Sequence, residues 1–391
     1  MKGNLALLVS WIKGEIVDIP GRIIAVLFFA ALLAVPLVVS NPYFLRIVAL
    51  AAIFAIYAAS WDVLSGVTGQ LNLGHGLFFG VAAYGAAFLN IHLNLSPWLT
   101  IPIGALGAVG IGMAVGLPAL RLRGFYLGLV TLAFPVIASS LLFVFPQFTG
   151  GEVGVSGVAP LAESRVMAYY VIVVVFAVSV LAMWKFTDPR SKVIRVGVIL
   201  HAIRQDEITA RASGINTVHY KLLAFAVSGF FAGIAGGLYA HLIRVVGPGL
   251  FDLFFSFQVI LWTIFGGMGT IYGAVAGVFI LYPAIEFMGL SSEAEEFKVV
   301  TFAGILILTL MFMPEGLATW IIDKIETRCL RCKVTNFSAR KHCRACGAEL
   351  VHEAQMAADD EREHAKSTGG ILSRARRWRK TWTNEKSKEE L

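Results

Sequence analysis

Tyr220-Lys-Leu-Leu-Ala-Phe-Ala-Val-Ser-Gly-Phe-Phe-Ala-Gly-Ile-Ala-Gly-Gly-Leu-Tyr-Ala-His241 is apolar around its whole circumference, with Lys221 and His241 confined to its ends. Wound as an α-helix at about 1.5 Å per residue, such a run is roughly 30 Å long, the thickness of a bilayer's hydrocarbon core. A surface helix of a soluble protein would show a polar face, and this one has none. Gly229, Gly233 and Gly237 recur every four residues, so one edge is slim enough for a second helix to approach closely. The segment therefore predicts a membrane-spanning helix packed tightly against neighbours.

The same pattern extends in both directions. Of 391 residues, 57% are hydrophobic and only 15% charged, with a mean hydropathy of +0.75. A soluble domain is closer to half apolar and a quarter charged. About ten spans are expected, at 23–40, 44–61, 77–91, 98–118, 124–145, 168–186, 221–243, 254–270, 273–290 and 298–313. The fold class is thus an all-α integral membrane protein, a polytopic helical bundle. The pair from 254 to 290 is nearly continuous, interrupted by Gly266, Gly267, Gly269 and Gly273. Lys2, Lys13 and Arg22 precede the first apolar run, which is long for a signal-peptide core and lacks a clear cleavage site, so it is expected to be retained.

Basic residues set the orientation. Arg121 and Arg123 fall between the fourth and fifth expected spans, and Arg190, Lys192, Arg195, Arg204, Arg211 and Lys221 between the sixth and seventh. With ten spans these segments share a side with both termini, so a multi-pass protein of the cell membrane with both termini cytoplasmic is expected. The opposite loops fit: 92–97 has no Lys or Arg, and 291–297 is acidic. The net charge of +7 is concentrated from Lys324 onward, where 16 Lys/Arg face 10 Asp/Glu, so it marks a charged tail rather than a nucleic-acid-binding domain. The organisation expected is an N-terminal segment 1–22, a permease domain 23–318 with a cytoplasmic loop 187–220, a cysteine module 324–350 and a charged tail 351–391.

Polar residues inside the body are few. Gln70, Asn72 and His75 lie between two apolar runs in the Gly-rich stretch 65–85. They mark either a discontinuous helix beside a substrate pathway or an interfacial turn. Asp62, Glu286 and His241 stand near span ends, where anchoring at the interface is expected. There is no Gly-x-x-x-x-Gly-Lys-[Ser/Thr], no His-Glu-x-x-His and no Gly-x-Ser-x-Gly, so no nucleotide or catalytic site is expected on this chain and it is not read as an enzyme. Energy for active transport would have to come from another subunit or an ion gradient.

In the 187–220 loop, Ile199, Ile203, Ala210 and Gly214 can share one helical face, and Gly214 before Asn216 is a plausible stop, which predicts one short amphipathic helix under the membrane. Glu207-x-x-Ala210-x-x-x-Gly214 resembles the EAA motif by which permeases of ABC importers meet their ATPases. Thr68-Gly-Gln-Leu-Asn-Leu-Gly-His75, the stretch Leu120–Phe134, the run 220–241 and Gly266-Gly-Met-Gly-Thr-Ile-Tyr-Gly273 resemble the LivM type of branched-chain amino-acid permease, in the same order, across about residues 20–318. The resemblance implies a permease subunit paired with a second, unlike permease. Two ATPase subunits would lie below and an extracytoplasmic binding protein above. It also implies that Glu207, Ala210 and Gly214 meet the ATPase, with Glu207 pairing to a basic group there or capping local backbone. Glu207-Ile-Thr-Ala210 departs from a literal Glu-Ala-Ala, and the tail beyond about Ile325 has no counterpart in the family pattern.

That tail holds the four cysteines, Cys329-x-x-Cys332 and Cys343-x-x-Cys346. Two such knuckles suit one tetrahedral, structural Zn²⁺; redox thiols are the alternative. Residues 374–382, basic with two tryptophans, suit either an anionic bilayer surface or a solvated tail. The function expected is a permease subunit of an ABC importer for branched-chain or related amino acids. The alternative is a self-sufficient channel or carrier for a small neutral solute such as urea or an amide. A zinc-ribbon sensor merely anchored in the membrane would need far fewer spans.

Overall fold

A computed structural model describes residues 20–288 with short gaps and, discontinuously, residues 303–350. The chain divides into two compact units, Leu27–Ile321 and a second made of Met1–Val26 with Ile322–Leu391.

The larger unit is helical. Its helices are α1 (Pro20–Val38, shared with the other unit), α2 (Pro42–Trp61), α3 (Gly76–Leu93), α4 (Pro97–Ala119), α5 (Phe125–Val144), α6 (Arg165–Thr187), α7 (Val196–Gln205), α8 (Glu207–Ala212), α9 (Thr217–Ile243), α10 (Leu253–Gly266) and α11 (Ile271–Met288). Six are long and apolar enough to cross a bilayer: α2 with its continuation to Val67, α3, α4, α5, α6 and α9. Each coincides with an expected span. The tenth, 298–313, lies largely outside the described residues.

The expected spans 254–270 and 273–290 differ from the others. They form one helix pair bent by 109° at a short break. At about 1.5 Å per residue the 14-residue α10 reaches only about 21 Å, less than a hydrocarbon core. The cause is local: Gly267 (φ 121°) and Gly269 (φ 88°) take backbone angles that other residues rarely adopt, so the helix stops. Past the turn, Gly277 packs on the Trp262 carbonyl and Gly266 on that of Gly273.

Helix α2 is the axis of the bundle, with its spanning window wholly buried. It is apolar on every side, as a helix surrounded by helices must be. Ala51, Ala52, Ala55, Ala58 and Ala59 keep it slim. The closest packing joins α3, α4 and α9. The Phe78 ring is held between Gly112 and Gly229, Gly233 meets the Ala105 backbone, and Gly236 meets that of Phe79. The glycine spacing read from the sequence is thus used for helix contact. At one end of the bundle, β1 (Val155–Ser156) pairs antiparallel with β2 (Val245–Val246).

The smaller unit contains the end of α12 (Leu317–Ile325) and a hairpin of β3 (Glu326–Arg328) with β4 (Thr335–Phe337), in which Arg328 pairs with Thr335.

Gly277→Leu should drive α10 and α11 apart and lower stability by about 3 kcal/mol, the upper range for overpacking. Gly110→Ala, at a glycine with open space around it, should be neutral or slightly stabilising. Thermal unfolding in detergent checks both; equal effects would contradict the close contact at Gly277.

Candidate functional site

The α6–α9 connection is a folded element held at one end of the bundle. The sequence predicts a single helix there; the structure has two, divided at Asp206, whose extended backbone (φ −154°, ψ 106°) ends α7 and starts α8. Asp206 is an N-cap: Oδ1 accepts the Ile208 amide at 2.8 Å and the Thr209 amide at 3.1 Å, and Oδ2 accepts the Thr209 hydroxyl at 2.6 Å. These bonds, the Thr209 hydroxyl foremost, hold its carboxyl below the usual carboxylate range. Asp206-x-x-Thr209 was the missed signal, because the apolar periodicity runs through it.

Helix α7 buries Gly197, Leu200 and Ile203. Gly197 lies on the carbonyls of Thr187 and Asp188, which fixes α7 to the end of α6. Helix α8 buries Ala210 against the chain itself. Gly214 (φ 83°) ends it, with the Ile215 amide donating to the Ala210 carbonyl at 3.2 Å. Among the described residues, nothing lies within 4 Å of where a Gly214 side chain would begin, so this turn is open on its outer side. Ile208, 67% exposed, shares that open surface.

Glu207 already has partners in its own chain. Its carboxylate is engaged within the chain: Oε2 accepts Lys221 Nζ at 2.7 Å, and Oε1 accepts Arg211 Nη2 at 2.9 Å and the Thr217 hydroxyl at 3.4 Å. Lys221 is buried at the base of α9. A buried lysine needs a counter-charge, and α8 supplies it, so the ion pair ties the loop to a spanning helix. The pair with exposed Arg211 adds little.

The structure brings Gln70, Asn72 and His75 together in an irregular segment inside the bundle. Helix α2 continues as a π-helical turn, Asp62–Val67. The chain then returns far enough that His75 Nε2 lies 2.9 Å from the Ser60 hydroxyl, with its ring stacked on Tyr57. Helix α3 therefore starts inside the bundle. Asn72 Oδ1 accepts the Gly74 amide at 3.0 Å, and its Nδ2 lies 3.3 Å from His75 Nδ1. Remote groups complete the segment. Thr131 accepts the Leu73 amide, Ser256 accepts the Gly76 amide, Ser65 donates to the Gln70 carbonyl, and Trp61 donates to the Asn72 carbonyl. The segment is a re-entering connection between two spanning helices, α2 with its continuation to Val67 and α3. Asn72 and His75 are buried and spent on local bonds. Ser60, Ser65, Thr131 and Ser256 were not singled out from sequence, because a lone hydroxyl in an apolar run has no pattern.

Interface anchoring does not hold for Asp62 and His241, both fully buried. His241 Nε2 lies 2.7 Å from the Thr100 hydroxyl and Nδ1 2.8 Å from the Ala159 carbonyl. Asp62 Oδ1 accepts the Gly269 amide at 2.6 Å. Each polar group here meets a need of another helix rather than of the membrane surface.

In the smaller unit, Cys329, Cys332, Cys343 and Cys346 present sulfurs that all lie within 4.8 Å of one another. Cys329 Sγ is 3.5 Å from Cys346 Sγ, and Cys332 Sγ is 3.4 Å from Cys343 Sγ. Four thiolates at about 2.3 Å from one tetrahedral zinc would stand roughly 3.8 Å apart, so the cluster fits such an ion with little movement. The Cys332 amide, ahead of other bonds, holds the Cys329 thiol below its ordinary range, toward the ligating thiolate.

These features define a class: a polytopic membrane permease that carries a fixed helical loop at one end. Known proteins identify it further. A family model described as "Branched-chain amino acid transport system / permease component" matches residues 43–310. LivM of Escherichia coli K12, a high-affinity branched-chain amino acid transport system permease protein, is 31% identical over 324 residues, covering 74% of each chain. LivH of Salmonella typhimurium is 25% identical over 295 residues, 69% of this chain and 92% of its own. BraD of Pseudomonas aeruginosa is 25% identical over 295 residues, 68% and 91%. The chain belongs to this permease family, whose members are transport components and not enzymes.

Glu207→Gln should leave Lys221 buried without its counter-charge and cost about 3 kcal/mol. Adding Lys221→Met should recover most of that loss, because no buried charge then remains. Thermal unfolding of Glu207→Gln, Lys221→Met and the double variant checks this; additive losses would show that the ion pair does not carry the attachment.

Proposed function

We propose that the chain is one permease subunit of an ABC importer for branched-chain or related amino acids. It pairs with a second, unlike permease and takes substrate from an extracytoplasmic binding protein. Both termini and the α7–α8 unit face the cytoplasm, in keeping with the basic residues of that loop. Two ATPase subunits drive it, one of them seated on α7–α8. Residues 23–318 form the permease domain, 324–350 a zinc-binding module and 351–391 its charged extension. The segment with Gln70, Asn72 and His75 shapes the substrate pathway by setting where α3 begins.

The observation that carries this reading is the α7–α8 unit: a helix pair fastened to the bundle by Lys221–Glu207 and by Gly197, with Ile208 and the Gly214 turn turned outward. A self-sufficient channel has no use for such a surface. An ATPase groove would bury the apolar tip and leave Arg211 at the rim.

Ile208→Asp changes a side chain that contributes little to the chain's own core, so insertion and thermal stability should be unchanged. Substrate-stimulated ATP hydrolysis and uptake by the reconstituted complex should fall about tenfold or more, as for a buried interface anchor. Gly214→Glu should act likewise, with about 1–2 kcal/mol of added backbone strain. Wild-type coupling in Ile208→Asp would favour the channel.

Cys329, Cys332, Cys343 and Cys346 would hold Zn²⁺, with every coordination position taken by sulfur, so the ion supplies folding energy rather than chemistry. Purified protein should contain about one zinc per chain, and Cys329→Ser with Cys343→Ser should abolish it. Zinc-free wild-type protein under reducing conditions would assign the thiols to redox chemistry.

A further inference from the structure

Arg204, in the last turn of α7, lies over two glycine turns of the bundle. A Cβ on Gly69 (φ 74°) would fall 3.2 Å from its Cγ, and one on Gly269 (φ 88°) 2.5 Å from its Nη1. Gly269 is the residue whose amide donates to Asp62. Asp62 begins the π-helical turn and is fully buried. Its second oxygen, Oδ2, has no hydrogen-bond partner among the described residues. Gly66, one turn on, leaves the carboxylate room, since a Cβ there would overlap it. Three glycines on two segments, Gly66 and Gly69 on one and Gly269 on the other, thus line the space around a buried carboxylate and a guanidinium. The guanidinium reaches the Gly269 turn, and Oδ2 of Asp62 is left open.

A buried carboxylate oxygen without a donor is costly, and a nearby cation that stops short of it leaves an unmade bond. Arg204 stands two residues before Asp206, where α7 meets α8. Arg204 thus stands at the junction through which a displacement of α8 would have to pass. The other contact of Asp62 is the turn between α10 and α11, where that helix pair is bent. The carboxylate is placed where the loop's motion can reach the bend.

We infer that Asp62 and Arg204 are positioning residues that form a latch between the α7–α8 unit and the α10–α11 turn. When an ATPase displaces α7–α8, the guanidinium moves from Gly269 onto Oδ2 of Asp62. The closed ion pair then holds the Gly269 turn in a second position. This rests on the ATPase-coupled function proposed above, and it assigns the route by which the loop acts on the bundle. The bland alternative makes Asp62 a fixed acceptor for the Gly269 amide and Arg204 a solvated surface residue.

Asp62→Asn separates the two, because the carboxamide oxygen still accepts the Gly269 amide while the charge is lost. The complete transporter in vesicles is compared for wild type, Asp62→Asn, Arg204→Ala, Arg204→Lys and the double variant Asp62→Asn/Arg204→Ala. Uptake per ATP hydrolysed should fall about tenfold in Asp62→Asn and in Arg204→Ala, and no further in the double variant, the mark of residues that act as a pair. Arg204→Lys should recover part of the loss, and thermal stability of Asp62→Asn should be at or above that of wild type, because an under-satisfied buried charge is removed. Hydrogen exchange over residues 264–272 should slow when a non-hydrolysable ATP analogue binds wild type or Arg204→Lys, and not when it binds Arg204→Ala or Asp62→Asn. Multiplying losses in the double variant, wild-type coupling in Asp62→Asn, or an exchange response that survives Arg204→Ala would each overturn the latch. If the wild-type complex imports no branched-chain amino acid, the substrate reading fails by itself; the exchange response, which needs no solute, still decides the latch.

Discussion

A backbone amide or carbonyl that leaves a helix inside an apolar bundle has no water to turn to. The stretch from Asp62 to Gly76 is where this chain meets that constraint, and much of the bundle is arranged around meeting it. Ser60 and Ser65 on the preceding turns, Thr131 on α5, Ser228 on α9 and Ser256 on α10 send hydroxyls to this segment or its immediate surroundings. Four stretches of chain, α2 with its continuation, α5, α9 and α10, thereby meet at one irregular element. The consequence is geometric: α3 starts inside the bundle, with its first turn against Ser256 and Phe251, and α10 starts beside it. Short helices that begin at depth are the places where a membrane bundle can open without breaking a long helix.

The connection between α6 and α9 answers a different constraint. The coupling role proposed for this loop requires it to be taut. Gly197 lets α7 sit directly on the end of α6, and Glu207 neutralises a lysine that α9 would otherwise bury uncompensated. Both fastenings lie on the bundle side of the loop, while Ile208, Arg211 and the Gly214 turn face away. A push on the outer face therefore reaches the bases of two long helices.

The spans were legible because their signal is one-dimensional: a helix in lipid must be apolar on all sides and about 20 residues long, and six of the expected segments match helices of that kind. The glycine contacts were legible for the same reason, since a spacing of four is a spacing along one helix. What depended on two distant segments was not. Thr131 and Ser256 are single hydroxyls in apolar runs, and nothing in either run says which amide it will meet. Asp62 and His241 were placed at the membrane surface because position along the chain puts them near span ends; their partners, Gly269 and the Thr100–Ala159 pair, lie over 80 residues away. The single helix expected at 200–216 became two because apolar periodicity outweighed the Asp206 cap. Glu207 had the right neighbourhood and an unexpected counter-ion, Lys221, fourteen residues on.

The central claim is that α7–α8 is the surface on which an ATPase acts. A photo-activated cross-linking side chain at position 208, with one at exposed Val153 near the opposite end of the bundle as comparison, tests it most directly in intact membranes. The account predicts that position 208 cross-links to a nucleotide-binding subunit and position 153 does not. Cross-linking of position 208 to lipid alone, or to an extracytoplasmic protein, would contradict it.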